Sequence, residues 1–186
     1  MVLPVLITGL LVTPVAAQPG RGVVARLPDV RDPIRLDTLG LPLGVGAAPA
    51  ATFAALEQVH TEFGIVRTIS DRARGEMGNL ALPVRREFAG ERVSRALDCG
   101  RGLGGEYADQ YRLTVALLTW VTAVPGHPDS SLVHTALVGG GRVVDGTRAW
   151  PMQCNSLGHL EARLAKRVRD LVRGGTSTTP PAGGRD

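Results

Sequence analysis

Four sets of residues in this sequence have the types and spacing to do chemistry. The first is Gly100-Arg101-Gly102-Leu103-Gly104-Gly105, which satisfies the dinucleotide-binding pattern G-x-G-x-x-G. That pattern works when a strand leads into it and a helix leaves it, so that the helix N-terminus receives the pyrophosphate. Here the glycines are followed by "EYADQYRLTVALLTWV", which becomes β-branched and alternating within a few residues. A helical turn over 106–110 fits that stretch; a crossover helix does not. The acidic residue expected about 20 positions on is also missing, because positions 120–128 hold no Asp or Glu and Asp129 lies in a Pro/Gly turn. With 24 glycines in 186 residues, chance matches come easily. The reading is that no cofactor binds there.

The second set is Cys99 and Cys154, the only cysteines. Their meaning depends on the compartment, and "MVLPVLITGLLVTPVAA" at the N-terminus bears on it. Val2 to Val15 is uncharged, too short for a membrane-spanning helix of about 20 apolar residues, and followed by the small residues Ala16 and Ala17. This is the form of a signal peptide over 1–17, with Gln18 as the mature N-terminus. No Lys or Arg precedes the apolar run, so either the signal is atypical or the start lies upstream. No transmembrane helix is expected in the mature protein. In an exported chain an even cysteine count reads as a disulfide, here Cys99 to Cys154. Neither C-x-x-C spacing nor a neighbouring histidine cluster favours a metal or redox pair.

The third set is the histidines: His60 on the apolar face of a helix, His127 in a turn, His134 in a strand and His159 in the first turn of the last helix. A zinc site needs three or four converging ligands, usually two of them closely spaced. No pair here has that spacing, so no metal is expected. A serine nucleophile has no G-x-S-x-G elbow, and no catalytic residue is assigned. The fourth set is the basic face of the last helix, Arg163, Lys166, Arg167, Arg169 and Arg173. It could hold an anionic headgroup or acidic polymer, or it is the solvated side of a core-packing helix, with Glu161 and Asp170 interspersed.

The elements that position these residues follow from periodicity. "AATFAALEQVHTEFG" carries Phe53, Leu56, Val59, His60 and Phe63 at helical spacing, with Gly64 just past the end. "IVRTISD" reads as a strand, "RARGEMGN" as a turn, and "LALPVRREF" as a strand moved toward an edge by Pro83. "ERVSRALDC" reads as a further strand. The clearest strand is 111–124, with Leu113, Val115, Leu117, Thr119 and Val121 on one face and Thr114, Ala116, Leu118, Trp120 and Thr122 on the other. After "PGHPDS" the strand "SLVHTALVGG" completes an antiparallel hairpin. The last helix places Leu157, Leu160, Leu164, Val168 and Leu171 on one stripe, capped by Ser156 or Asn155.

These elements make an α+β domain over 50–173: a two-layer, mainly antiparallel sheet of three to five strands packed with an N-terminal and a C-terminal helix. Residues 18–49 read as a flexible or extended Pro/Gly-rich leader with a short edge strand, and 174–186 as a disordered tail. Aromatic residues make up only 4% of the chain, so the core is aliphatic. A net charge of +4, spread along the chain, lacks the concentrated basic stripe of a nucleic-acid binder.

The segment "ALEQVHTEFGIVRTISDRARGEMGNLAL" resembles the start of BamC-like envelope domains, in its amphipathic helix ending in Gly64, its outgoing strand, and Asp71 and Gly75 before the return. The segments "DCG" and "QCNSLGHLE" are similar to uncharacterised exported bacterial proteins that share CG and C-x-S-x-G-x-L-E segments. These resemblances imply a periplasmic or secreted setting and an interaction role, and they carry over no functional residue. The function expected is a non-enzymatic envelope module acting through an envelope protein or an anionic envelope surface. The alternatives are a small-ligand or anionic-lipid binding domain and a hydrolase with a dispersed site.

Overall fold

The structure is a computed structural model that describes residues 22–145 and 147–175. The signal peptide expected over 1–17 lies outside the described residues; of the tail expected over 174–186, Gly174 and Gly175 belong to the last helix and the rest lies outside the described residues. In chain order the first elements are β1 (Val24–Ala25), β2 (Ile34–Arg35), a 3-10 turn (Leu36–Thr38), β3 (Leu41–Val45) and α1 (Pro49–Glu62). Then come β4 (Ile69–Asp71), β5 (Glu76–Val84), β6 (Glu87–Phe88), β7 (Glu91–Arg92), α2 (Val93–Ala96) and β8 (Leu97–Asp98). A small hairpin of β9 (Arg101–Gly102) and β10 (Gly105–Glu106) leads into the single turn α3 (Tyr107–Gln110). The chain ends with β11 (Leu113–Val124), β12 (His127–Asp145), β13 (Arg148–Ser156) and α4 (His159–Gly175).

The fold is α+β, built on an antiparallel sheet of seven strands in the order β4-β5-β11-β12-β13-β8, with β3 pairing β12 off that path. The long β11–β12 hairpin is its spine. β12 pairs first with β3 through Ser131–Thr135 and then with β13 through Val138–Asp145. The expected alternation of β11 holds: Leu113, Val115, Leu117 and Val121 enter one core with α1 and α4, and Ala116, Leu118 and Trp120 enter a second core on the opposite face. Gly64, with φ +66°, stands just beyond the C-cap of α1.

That second face is closed by residues 22–39, within the stretch read as a flexible or extended leader. They lie as a strap across the sheet, with Ala25, Leu27 and Leu36 buried against Ala116, Leu118, Trp120, Ala136 and Val138. The edge strand expected in the leader is β3. The strap needs no periodicity of its own because its backbone rests on a residue without a side chain. A Cβ at Gly140 would stand 2.7 Å from Val30 Cγ2 and 3.2 Å from the Pro28 carbonyl oxygen. Arg142 pairs with Asp29 and pins the strap at that point.

Several local readings change, among them the turn expected over 125–130, because β12 already begins at His127 and pairs it with Val124. β5 starts at Glu76, inside the stretch expected to turn, because a turn over Arg72–Gly75 suffices, closed by the Gly75 N–H on the Arg72 carbonyl (3.2 Å). "ERVSRALDC" is mostly not strand: Asp109 accepts from the Ser94 N–H (3.0 Å) and Ser94 Oγ (2.8 Å) and holds α2 in place from 15 residues away. β13 was not expected from the sequence; its Pro151 is tolerated because β8 pairs β13 only at Asn155 and Ser156, leaving that stretch at an edge. Leu157 is 55% exposed and precedes α4, so the buried stripe is Leu160, Leu164 and Val168. Ser156 serves α4 from outside the cap position, accepting the Gly158 N–H (3.0 Å) and donating to Glu161.

Candidate functional site

Cys99 and Cys154 are joined, with their Cα atoms 4.2 Å apart. The bridge ties the end of β8 to β13 inside the helix-side core and fixes the start of the glycine-rich segment. From there the G-x-G-x-x-G residues form the β9–β10 hairpin, in which Glu106 stands opposite Arg101 and pairs with it. The segment has no crossover helix, since α3 is one turn of four residues. Gly102 is small for a packing reason: a Cβ there would lie 2.6 Å from Cε1 of Tyr107. The glycine therefore lets the Tyr107 ring lie flat against the hairpin backbone.

This packing builds one wall of a groove of about 490 Å³, lined by Arg101–Gly104, Tyr107, Gln110, Tyr111, Val143, Val144 and Trp150. Tyr107 and Tyr111 meet edge to face at 5.6 Å, and the Tyr111 hydroxyl donates to the Val144 carbonyl (3.2 Å). That bond fixes the overhanging β12–β13 hairpin to α3. Leu103 at the hairpin tip is fully exposed, and Val144 and Trp150 are 54% and 40% exposed. Of seven aromatic residues in the chain, both tyrosines and one tryptophan line this one groove. Exposed apolar and aromatic side chains are thus gathered around one concave surface.

The groove has no carboxylate in its lining and one cation, Arg101. Two of the guanidinium nitrogens, Nε and one Nη, both reach Glu106 Oε1. Of the five donor hydrogens on a guanidinium the others remain available, on a side chain that is 73% exposed. Arg148 lies two positions from Trp150 in β13, on the same face, exposed and with no ion pair among the described residues.

A second depression, of about 400 Å³, lies between the start of α1 and the β4–β5 turn, lined in part by Phe53, Arg72, Arg74 and Thr122. Its cations are already engaged. Arg72 pairs with Glu57 at 2.6 Å and sits over the Phe53 ring, and Arg74 pairs with Glu76 at 3.2 Å.

The expected basic face of α4 is largely engaged within the molecule. Arg163 bonds Glu91 (3.2 Å) and the Ala89 carbonyl (3.3 Å) and lies over the Phe63 ring. Lys166 pairs with Asp170 (2.9 Å), Arg167 with Glu62 (2.7 Å), and Arg169 donates to the Gly44 carbonyl (3.2 Å). Arg173 also has an interaction partner. The hydrogen bond from Arg167 holds the Glu62 carboxyl below the usual carboxylate range, and Lys166 does the same for Asp170. These residues join α4 to α1, β3 and β7.

The histidines do not converge, and among the described residues no group of three or more His, Cys, Asp or Glu could hold a metal. His60 is fully buried against the sheet. Thr119 Oγ1 donates to the Met77 carbonyl (3.0 Å), so it accepts from His60 Nε2 (3.1 Å). This sets the tautomer and leaves Nδ1 buried without a partner. Burial, with the charge of Arg67 adding to it, lowers the imidazole pKa to about 4. His134 stacks on Trp120 at 4.9 Å, on the strap side. His159 Nε2 lies 3.0 Å from Glu91, at the start of α4.

No family model matches the chain, and comparison with curated proteins and with solved structures returned no match. The groove is therefore read from its own residues. Sequence reasoning missed Tyr107, Tyr111 and Trp150 as a set, because Trp150 sits in the unrecognised β13. The available signal was the alternation of Trp150, Met152 and Cys154 with Pro151 and Gln153, together with the scarcity of aromatics elsewhere.

Proposed function

We propose that this chain is an exported module that acts by binding another envelope protein rather than by chemistry of its own. The observation that carries the reading is the aromatic groove, where Leu103, Val144 and Trp150 stand in water around Tyr107 and Tyr111. Tyr, Trp and Arg are the residues that dominate binding energy in protein interfaces, and all three types are present there. The Cys99–Cys154 bridge belongs to an oxidising compartment, in keeping with the apolar run Val2–Val15 and the small residues that follow it. Among the described residues, the one group driven far from its ordinary pKa, His60, is sealed in the core away from the groove and the second depression. No helix among the described residues is long and apolar enough to cross a membrane.

The test is site-specific photocrosslinking in the host cell. A photoreactive residue at position 103 or 150 is expected to give a discrete protein adduct. The same residue at Val66 or Leu157, exposed apolar positions outside the groove, is expected to give none. Absence of an adduct at 103 and 150, with a lipid or metabolite carried through purification instead, overturns the reading. Export predicts that the cellular protein begins at Gln18, which intact-mass measurement checks.

A further inference from the structure

Resting on that reading, we propose that the groove takes an extended acidic segment of the partner, seating one aromatic or long aliphatic side chain among Tyr107, Tyr111 and Trp150. The groove, of about 490 Å³, has room for such an anchor together with backbone on either side of it. Charge complementarity selects an acidic flank. The lining contains no carboxylate, Arg101 keeps unused donors beside Glu106, and Arg148 is exposed on the same face of β13 as Trp150 with no ion pair among the described residues. A guanidinium of this kind favours carboxylates in paired geometry.

The strand beside the groove selects an extended backbone. β13 is paired with β12 through Arg148–Asn155, but β8 covers its other side only at Asn155 and Ser156. Residues 148–151 are all exposed. Their outer edge is open to main-chain pairing by an added strand, the mode in which backbone bonds give affinity and neighbouring pockets give specificity. Pro151 removes one donor from that edge. It shortens the pairing available to a second copy of the same strand, as edge prolines do elsewhere, while the apolar groove supplies what the lost bond does not. Exposed aliphatic side chains at Leu103 and Val144 favour a polypeptide over a sugar polymer, which would use the aromatic faces and polar groups but not these.

The probe is a fluorescein-labelled peptide of alternating Asp and Val around a central Phe, compared with the same peptide carrying Lys for Asp, by anisotropy on the oxidised mature chain. The acidic peptide is expected to bind at least about ten-fold more tightly. Arg148→Gln is expected to reduce that preference about three- to ten-fold, and Trp150→Ala to weaken both peptides about ten-fold or more. Both side chains are exposed, and unchanged thermal midpoints show that the variants remain folded. Equal affinity for the two peptides, indifference to Arg148→Gln, or tighter binding of polygalacturonate than of the acidic peptide overturns the proposal. Self-association abolished by Trp150→Ala also overturns it, assigning the groove to a second copy. If cellular adducts form at 103 and 150 while the acidic peptide fails, the binding function stands and the partner chemistry is wrong. If neither appears, both are wrong.

Discussion

The two faces of the sheet are covered by opposite means. On one face α1 and α4 bring side chains into a deep core that includes Leu56, Val59, Leu160, Leu164 and the cystine. On the other, an extended strap that adds mainly Leu27 and Leu36 lies on Ala116, Leu118, Trp120, Ala136 and Val138, and its closest backbone approach is over Gly140. A helical cover is specified by what its residues add, so it leaves a period in the sequence. An extended cover is specified by what the sheet beneath it leaves out. The first should carry the cooperative stability of the domain, and the second should open by itself.

The sharpest way to break that distinction is at the disulfide, which belongs wholly to the helical face. A bridge spanning 55 residues is worth about 4 kcal/mol on the chain-entropy account. Cys99→Ser with Cys154→Ser is therefore expected to lower the stability of the helix-side core, read from its urea transition, by about that much. In native, unreduced protein neither thiol should label. A loss confined to the strap would place the cystine on the wrong side of the comparison.

His60 tests the same face through pH. Its imidazole must stay neutral where it is buried, with a pKa near 4 against 6.5 in its ordinary state. Between those values the unfolded chain takes up a proton that the folded chain refuses. Stability is then flat above about pH 6.5 and falls by about 3 kcal/mol as pH drops to about 4. Denaturant melts across that range should show the slope, and His60→Leu should remove it, since Thr119 keeps the Met77 carbonyl as its acceptor. An unchanged slope in His60→Leu would move the titration elsewhere.

The smallest effect belongs to the other face. Gly140→Ala places a methyl group against Val30, Leu27 and the Pro28 carbonyl, a crowding that costs about 1–3 kcal/mol. The cost should be paid by the strap alone. Amide exchange at 23–36 is expected to accelerate while 113–121 keeps its protection. Equal acceleration in both segments would join the two covers into one cooperative unit.

The helical face was legible in advance. Phe53, Leu56, Val59 and His60 share one side of α1, and Leu160, Leu164 and Val168 one side of α4. The alternation of β11 assigned both faces of the sheet, because every second residue had to be apolar on each. The strap was not legible, since Pro28 and Pro33 look like linker when Gly140, on which Leu27, Pro28 and Val30 rest, lies more than a hundred residues away. β13 was hidden for a related reason, in that Pro151 reads as a breaker until the strand is known to lie at an edge. The groove inherited that blindness. Tyr107 and Tyr111 were visible one turn apart, but their partner Trp150 belonged to an element not recognised as one.

Arg142 and Asp29 pair across 113 positions of sequence, and that span has a consequence for biosynthesis. The strap leaves the ribosome long before its seat on β12 does. At about 5–20 residues per second the interval is roughly 6–20 s, during which Leu27 and Leu36 have nowhere to go. A chain built in this order cannot close early. The strap side of the sheet stays open by its own layout until β12 has been synthesised.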